Sequence, residues 1–460
     1  MVRINQTEAS MFLSFRNVCF VWMALGLLGP AMATDAGNPS LPRPLTLDAA
    51  IAYAVAHNPD LRRVTQQVAE QEGVLLEATA KRRPYASAGA SYGYTQKSLF
   101  EQFPGFPGFP LPDQNAWQLE VSVRQLVYSG GATEGRIRSA KARAEAARSS
   151  VSSAVNQVVY VVEQEFLGVL LAREQIEVRK EALQVLETEW AQAKVRREAG
   201  TGSDFDVLRA EVAVANARPA LIRAENSYRA QQDALRTELG AEVASTEGDQ
   251  TDLDVRGALK IPPVTLGLSQ AIEAARARRP ELMAGASLIA AAHEDRTVAA
   301  AGRKPQVSIL SGYEVRKASY PASWGETLNG FTVGAQVAYP IFDGHSTDAR
   351  VRQAVAREAQ AVAARDSTRL RIDLEVRDAY RALTEASQLL ESADKVVVEA
   401  TESLRLARAR LAAGTAMQLD VLSAQAALTE ARSNLAQAEH DYALGAARLR
   451  RAIGAAAPTE

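Results

Sequence analysis

Two short acidic turns are the residues best placed to do chemistry in this 460-residue chain. AGTGSDFDVL runs from Ala199 to Leu208 and AGTAMQLDVL from Ala413 to Leu422, and each sets an aspartate, Asp206 or Asp420, six residues beyond its glycine. Carboxylates at such a place can favour cations, and can bind divalent ions where several converge on a narrow opening. They can equally sit in a first helical turn and complement the helix dipole. Both readings stand on sequence alone. Gly200 and Gly414 suit a left-handed residue at a helix C-terminus, and the Thr201, Thr415 or Ser203 that follows can cap a returning helix.

Other chemistry is thinly represented. The histidines, His57, His293, His345 and His440, are scattered without metal-ligand spacing. GTGSD lacks the Gly-Lys-Ser/Thr end of a phosphate loop, and no G-x-S-x-G elbow occurs. We therefore assign no catalytic, cofactor-binding or metal residue and expect a protein that is not an enzyme. Lys and Arg number 52 against 54 Asp and Glu, for a net charge of -2, so no basic field exists to hold nucleic acid.

The two decamers belong to a repeat of the whole chain. An offset of 214 carries Gly200 onto Gly414, Asp206 onto Asp420, Tyr228 onto Tyr442 and Gly240 onto Gly454. Upstream, an offset of 221 carries Pro59 onto Pro280, Pro84 onto Pro305 and Tyr92 onto Tyr313. The difference is absorbed where the first copy carries the additional Pro/Gly/Phe sequence FPGFPGFPLP, Phe103 to Pro112. A register held this long means duplication of a complete structural unit. We place the first repeat at 45–240, a connector at 241–263 and the second repeat at 264–454, with 34–44 as a leading linker and 455–460 as a tail.

Each repeat reads as helix, strand, strand, very long helix, turn, helix. Thr46 can cap a helix that continues, with a break near Pro59, to Arg83. From Ala132 to Ala199 there is no proline, so a continuous helix there is roughly 100 Å long at 1.5 Å per residue. His345 to Ala413 contains neither Pro nor Gly. Val155, Val162, Val169, Ile176, Leu183 and Trp190 are seven apart, as are Val376, Leu383, Leu390, Val397, Leu404 and Leu411, the beat of helices packed lengthwise as coiled coils. Each decamer then becomes the tip of a long hairpin.

The strands alternate. Trp117, Leu119, Val121 and Val123 oppose Gln118, Glu120, Ser122 and Arg124; Phe331, Val333, Val337 and Tyr339 oppose Thr332, Gly334 and Gln336. The first strands carry Tyr92 and Tyr313 on the corresponding face. A half-buried soluble sheet shows the same period. Strand length near ten residues and aromatic ends favour lipid on the oily face. One chain supplies four strands, while the smallest membrane barrels have about eight, so several protomers must share one barrel.

The address agrees. Arg3 and Arg16 precede the apolar run Val18 to Leu28, and Ala31-Met32-Ala33 offers a cleavage site, giving a signal peptide over 1–33. The single cysteine, Cys19, lies inside that segment and does not follow the cleavage site, so neither disulfides nor lipidation are expected.

NPDLRR (Asn58 to Arg63), the proline ending the first helix, LVYSGG and PIFDGH after the second strands, FLGVLLA on the long helix and the paired AGT-x4-DVL tips together resemble the TolC family of outer-membrane channel proteins. The resemblance implies a mainly α fold with a small β part: a homotrimer whose twelve strands form one barrel in outer-membrane lipid, continued by a periplasmic helical tube. It implies an inner-membrane transporter, an ABC exporter or proton-driven pump, and a periplasmic adaptor as partners, in type I secretion or drug efflux. It also implies an acidic constriction near the tips, which Asp420 matches and Asp206 mirrors. Where relatives place a tyrosine, an arginine and a second acid there, this chain has Leu411, Ala416 and Ser423. A periplasmic coiled-coil adaptor that is not itself a channel is the alternative reading.

Overall fold

The computed structural model describes residues 41–95, 115–241, 252–317 and 324–455. The expected signal peptide with Cys19, and the loop at 103–112, lie outside those residues.

In chain order the elements are α1 (Leu47–His57), α2 (Pro59–Ala80), β1 (Tyr85–Tyr94), β2 (Asn115–Tyr128), α3 (Ala132–Glu198) and α4 (Asp204–Leu239), then α5 (Leu268–Arg278), α6 (Pro280–Ala300), β3 (Gln306–Lys317), β4 (Thr327–Ala338), α7 (Ser346–Ala412) and α8 (Gln418–Ala452). The break at Pro59 is a true boundary. Proline disfavours a helical residue before it, and Asn58 uses the gap to accept the N–H groups of Asp60 and Leu61 as the cap of α2. A short 3-10 turn, Ala301–Arg303, closes α6 before β3.

α3 and α7 are each 67 residues long, about 100 Å at 1.5 Å per residue. Every residue of the two seven-residue series is buried or half-buried. α3 packs on α4 as a hairpin and α7 on α8, while α2 and α6 lie along the first half of α3 and α6 also lies on α7. α3 also contains a window apolar enough to cross a membrane, but its Val162, Phe166, Val169 and Leu170 are buried in the protein. Ile372, Val376, Ala379 and Leu383 of α7 form the matching core with Tyr442, Ala446 and Leu449 of α8.

The repeat closes on itself in the same way twice. Asn58, at the junction of α1 and α2, donates through Nδ2 to the Glu238 carbonyl near the end of α4 at 2.9 Å. Arg279, at the junction of α5 and α6, donates to the Arg451 carbonyl near the end of α8 at 3.2 Å. Two side chains of different chemistry thus satisfy the free carbonyls of the two return helices.

The connector at 241–263 is polar and contains Gly and Asp by sequence. Its described part packs: Leu253, Val255 and Leu259 are buried, Val255 bridges Leu45 in parallel, and Arg173 of α3 donates to the Val255 carbonyl at 2.9 Å.

Candidate functional site

The four strands form one antiparallel sheet in the order β1-β2-β3-β4, so the two repeats meet at β2 and β3. Register places the oily residues in common rows: Ala88, Val121, Tyr313 and Phe331 lie side by side, as do Ala86, Val123, Ser311 and Val333. The next rows invert the chemistry, with Gly89, Glu120, Glu314 and Gly330 in one and Ser87, Ser122, Gly312 and Thr332 in another. Leu310 and Leu328 are apolar exceptions on that second face. Period-two geometry therefore sorts the sheet into an oily and a wet side.

Within one chain the oily side is open. Phe331 is 78% exposed, Val333 69%, Val337 66% and Tyr92 62%, with Leu119, Val121 and Tyr313 near half. So large a contiguous apolar surface marks a face meant for another apolar phase. β1 and β4 are the sheet's outer strands, each paired on one side among the described residues. Aromatic rings gather at both ends of the oily side, Tyr92 near Trp324 at one (6.1 Å between centroids) and Tyr128, Tyr339 and Phe342 exposed at the other. From Trp117 to Tyr128 the strand rises roughly 36 Å at about 3.3 Å per residue, or about 25 Å across a bilayer at a 45° tilt. By sequence the stretch Ser319 to Gly330, opposite FPGFPGFPLP in the repeat, is expected as a surface loop; β4 begins at Thr327, so the end of that stretch is strand, and Tyr339 falls one residue past the strand's end.

At the far end of the helices are the two acidic turns. Gly200 (φ 71°) and Gly414 (φ 75°) are left-handed, and both turns make the same pair of bonds: Gly200 N–H to the Arg197 carbonyl with Thr201 N–H to that of Arg196, and Gly414 N–H to Leu411 with Thr415 N–H to Arg410. This is a Schellman closure, which glycine permits without strain. The threonines serve the helix that ends, not the one that begins: each hydroxyl donates back to the same Arg196 or Arg410 carbonyl at 3.2 Å. Ser203 alone caps a returning helix by its side chain.

Asp206 and Asp420 complete these starts. Asp206 accepts the Ser203 N–H (3.3 Å) and hydroxyl (2.7 Å), and its own N–H donates to Ser203 Oγ, a reciprocal capping box. Asp420 accepts the Met417 N–H at 2.9 Å, and Met417 offers no side-chain cap in return. The cap role is therefore visible in both aspartates. It engages one carboxylate oxygen of each.

Sequence reading missed a polar clasp just above the turns. Glu189 of α3 is 4% exposed and accepts from Arg408 Nε of α7 at 3.3 Å and from Gln418 Nε2 of α8 at 3.4 Å. Arg196 of α3 donates to the side-chain amide oxygen Oε1 of Gln418. A buried carboxylate is retained only where charge and hydrogen bonds compensate it. The sole sequence signal was Glu189 beside Trp190, on the face that the seven-residue series marks as inward. Farther from the tips, Glu163 is similarly buried against Arg450; burial raises its carboxyl above the ordinary range, and Arg450 partly opposes that.

Among the described residues no three His, Cys, Asp or Glu side chains gather as metal ligands. Comparison with known proteins fits the architecture. The sequence profile for "Outer membrane efflux protein" matches residues 50–241 and 271–455, one span per repeat. Outer membrane protein TolC of Vibrio cholerae is 26% identical over 321 residues, covering 68% of this chain and 72% of that protein. Alkaline protease secretion protein AprF of Pseudomonas aeruginosa is 24% identical over 340 residues, covering 74% and 69%. The crystal structure of the outer membrane protein VceC of Vibrio cholerae aligns with a TM-score of 0.74 at 18% identity, covering 89% of this chain and 96% of that one.

Proposed function

The chain belongs to the outer membrane efflux protein family, and on that premise we propose that it is the passive outer-membrane exit duct of a tripartite transport system. As a family member it is a non-enzymatic outer-membrane protein with a periplasmic helical extension. Three copies pool their four strands into a twelve-stranded barrel, and their hairpins continue the lumen into the periplasm. The observation that carries this reading is a sheet oily on one side and wet on the other, with two outer edges that must be closed in lipid, mounted on helices about 100 Å long. A periplasmic adaptor needs no such sheet.

An inner-membrane transporter, ABC exporter or proton-driven pump, supplies the energy, and a periplasmic adaptor joins it to the tips. The cargo is a secreted protein handed over by an exporter, or small molecules handed over by a pump. The likeness to a protease secretion protein supports the first. Asp206 and Asp420, one of each per copy, ring the periplasmic opening and favour cations; Gly200, Gly414, Thr201 and Thr415 shape the turns that carry them.

The test is reconstitution with a deletion strain beside it. The purified protein should conduct ions in planar bilayers, and deletion should abolish release of an extracellular protein or raise sensitivity to small toxic compounds, whichever is the cargo. A soluble, non-conducting monomer would return the adaptor reading.

A further inference from the structure

The oily side of the sheet carries one charge. Alternate residues along the paired register make up that side, and among the described strand residues its only charged side chain is Lys317, the last residue of β3. Tyr313 and Val315 precede it on the same side of the strand. A cation on a lipid-facing surface costs most at the bilayer midplane and little at its edges, so its depth decides what it can do.

Lys317 stands at an edge. The helices join the sheet near Tyr85, Tyr128, Gln306 and Ala338, which puts Tyr94, Asn115, Lys317 and Thr327 at the opposite end, away from the periplasmic extension. From Val307 to Lys317 the strand rises roughly 33 Å at about 3.3 Å per residue, or about 23 Å across a bilayer at a 45° tilt. The apolar band of such barrels is about 25 Å tall, so the ammonium reaches the headgroup level of the outer leaflet. The corresponding row at the inner end, Tyr128, Val307 and Val337, has no charge.

The ammonium is also framed. Trp324, in the turn before β4, has its ring centroid 5.5 Å from Lys317 Nζ and 6.1 Å from that of Tyr92 on β1. Tyr92 is fixed in turn, donating to Asn115 Oδ1 at 2.9 Å. β1 and β3 are not neighbours in the sheet, so one indole bridges the outer end across β2. A cation beside an aromatic ring keeps N–H groups with which to meet an anion. A lysine that only snorkels out of hydrocarbon needs no such frame.

We propose that Lys317, framed by Trp324 and Tyr92, binds the phosphate of an outer-leaflet glycolipid, one site per copy; this rests on the lipid-embedded barrel proposed above. The acyl chains lie along the row Ala90, Leu119 and Val315 just below. The phosphate accepts a charge-assisted hydrogen bond from the ammonium, at a level drier than bulk water. The ligand is a lipid and not free phosphate because a single ammonium holds a small anion weakly in water, whereas the apolar rows beneath it retain the chains and keep the headgroup in place.

The full chain, purified in mild detergent and freed of lipid, tests this. It is titrated with lipid A carrying both phosphates, with the same lipid dephosphorylated, and with inorganic phosphate, and bound lipid is counted by native mass spectrometry. The phosphorylated lipid should bind about five-fold more tightly than the dephosphorylated one, and Lys317→Ala should remove that preference. Lys317→Arg should keep it within about two-fold. Trp324→Leu leaves the charge, removes its frame and should weaken the preference about two-fold. Arg316→Ala controls for net charge: Arg316 lies one residue away on the wet side, 3.6 Å from Glu314, and the variant should bind like the parent. Equal binding of the two lipids, a preference unchanged in Lys317→Ala, the same loss in Arg316→Ala, or displacement of the lipid by an equal concentration of inorganic phosphate would overturn the proposal. A parent protein that runs as one soluble chain and takes up neither lipid would remove the barrel reading, and the site with it.

Discussion

Four glycines share one backbone conformation and differ in what surrounds them, which makes alanine substitution a measurement of packing alone. Gly200, Gly240, Gly414 and Gly454 have φ between 71° and 78°. An alanine there carries roughly 1–2 kcal/mol of left-handed strain, of which about 0.4–1 kcal/mol is regained through the stiffer unfolded chain. At Gly200 and Gly414 a methyl meets nothing within 4 Å, so the net cost stays near 1 kcal/mol. At Gly240 the methyl would stand 2.7 Å from the His57 carbonyl oxygen and 3.2 Å from its carbon. Those are backbone atoms at the end of α1, beside the Asn58 amide that caps α4. Relief requires the α1–α2 junction to move, which adds roughly 1–3 kcal/mol of overpacking. Gly454 is intermediate, with the Arg278 carbonyl carbon and oxygen both at 3.2 Å. The assay is loss of helical circular dichroism on heating in detergent at one scan rate, since an assembly of this kind reports an order of resistance and not an equilibrium free energy. Gly240→Ala should melt lowest, Gly454→Ala next, and Gly200→Ala with Gly414→Ala closest to the parent. A Gly240→Ala protein melting with or above Gly200→Ala would refute the contact between return helix and junction.

Three further outcomes follow from the same geometry. Asp420→Asn keeps an acceptor for the Met417 N–H and loses the charge, so it should lower cation preference in a salt-gradient reversal potential as much as Asp420→Ala does; unchanged selectivity in both leaves the cap as the aspartate's whole role. Val333→Arg, in the oily row, should cost about 2–4 kcal/mol if it lies near the bilayer midplane and should reduce heat-modifiable assembly in isolated outer membranes, while Ser122→Arg on the wet face should assemble normally. Arg450→Ala strands the buried Glu163 carboxylate, at a cost of about 3–5 kcal/mol near neutral pH. Because the folded Glu163 pKa is already raised by burial, protonation stabilises the folded form: the deficit should be small below the unfolded value of about 4.3 and grow as pH rises through the folded value. Thermal melts of parent and variant at acid and neutral pH check the sign.

Much of this architecture was legible because it rests on period and punctuation. The seven-residue series set which side of α3 and α7 is inward, and the glycines at 200 and 414 marked where those helices end; both follow from local backbone rules. The alternation around Val121 and Phe331 gave the sheet its two faces, though not the β2–β3 pairing that joins the repeats. What stayed hidden depends on partners distant in sequence. Glu189 looks like any surface glutamate until Arg408 and Gln418, more than two hundred residues later, come to it. Arg279 does the work of Asn58 with different atoms, so the repeat conceals it. The connector is polar by composition, and only the seating of Val255 on Leu45 and Arg173 shows that its described part is packed. Thr201 and Thr415 have hydroxyls that can serve either neighbouring helix, and the tight turn decides for the one that ends.

The claim beneath all of this is that one sheet with two outer edges cannot be sealed in lipid by its own chain. Native mass spectrometry of the protein extracted from outer membranes in mild detergent tests it most directly. A single species with three times the mass of the mature chain is the expected result; a stable species of one chain would contradict it.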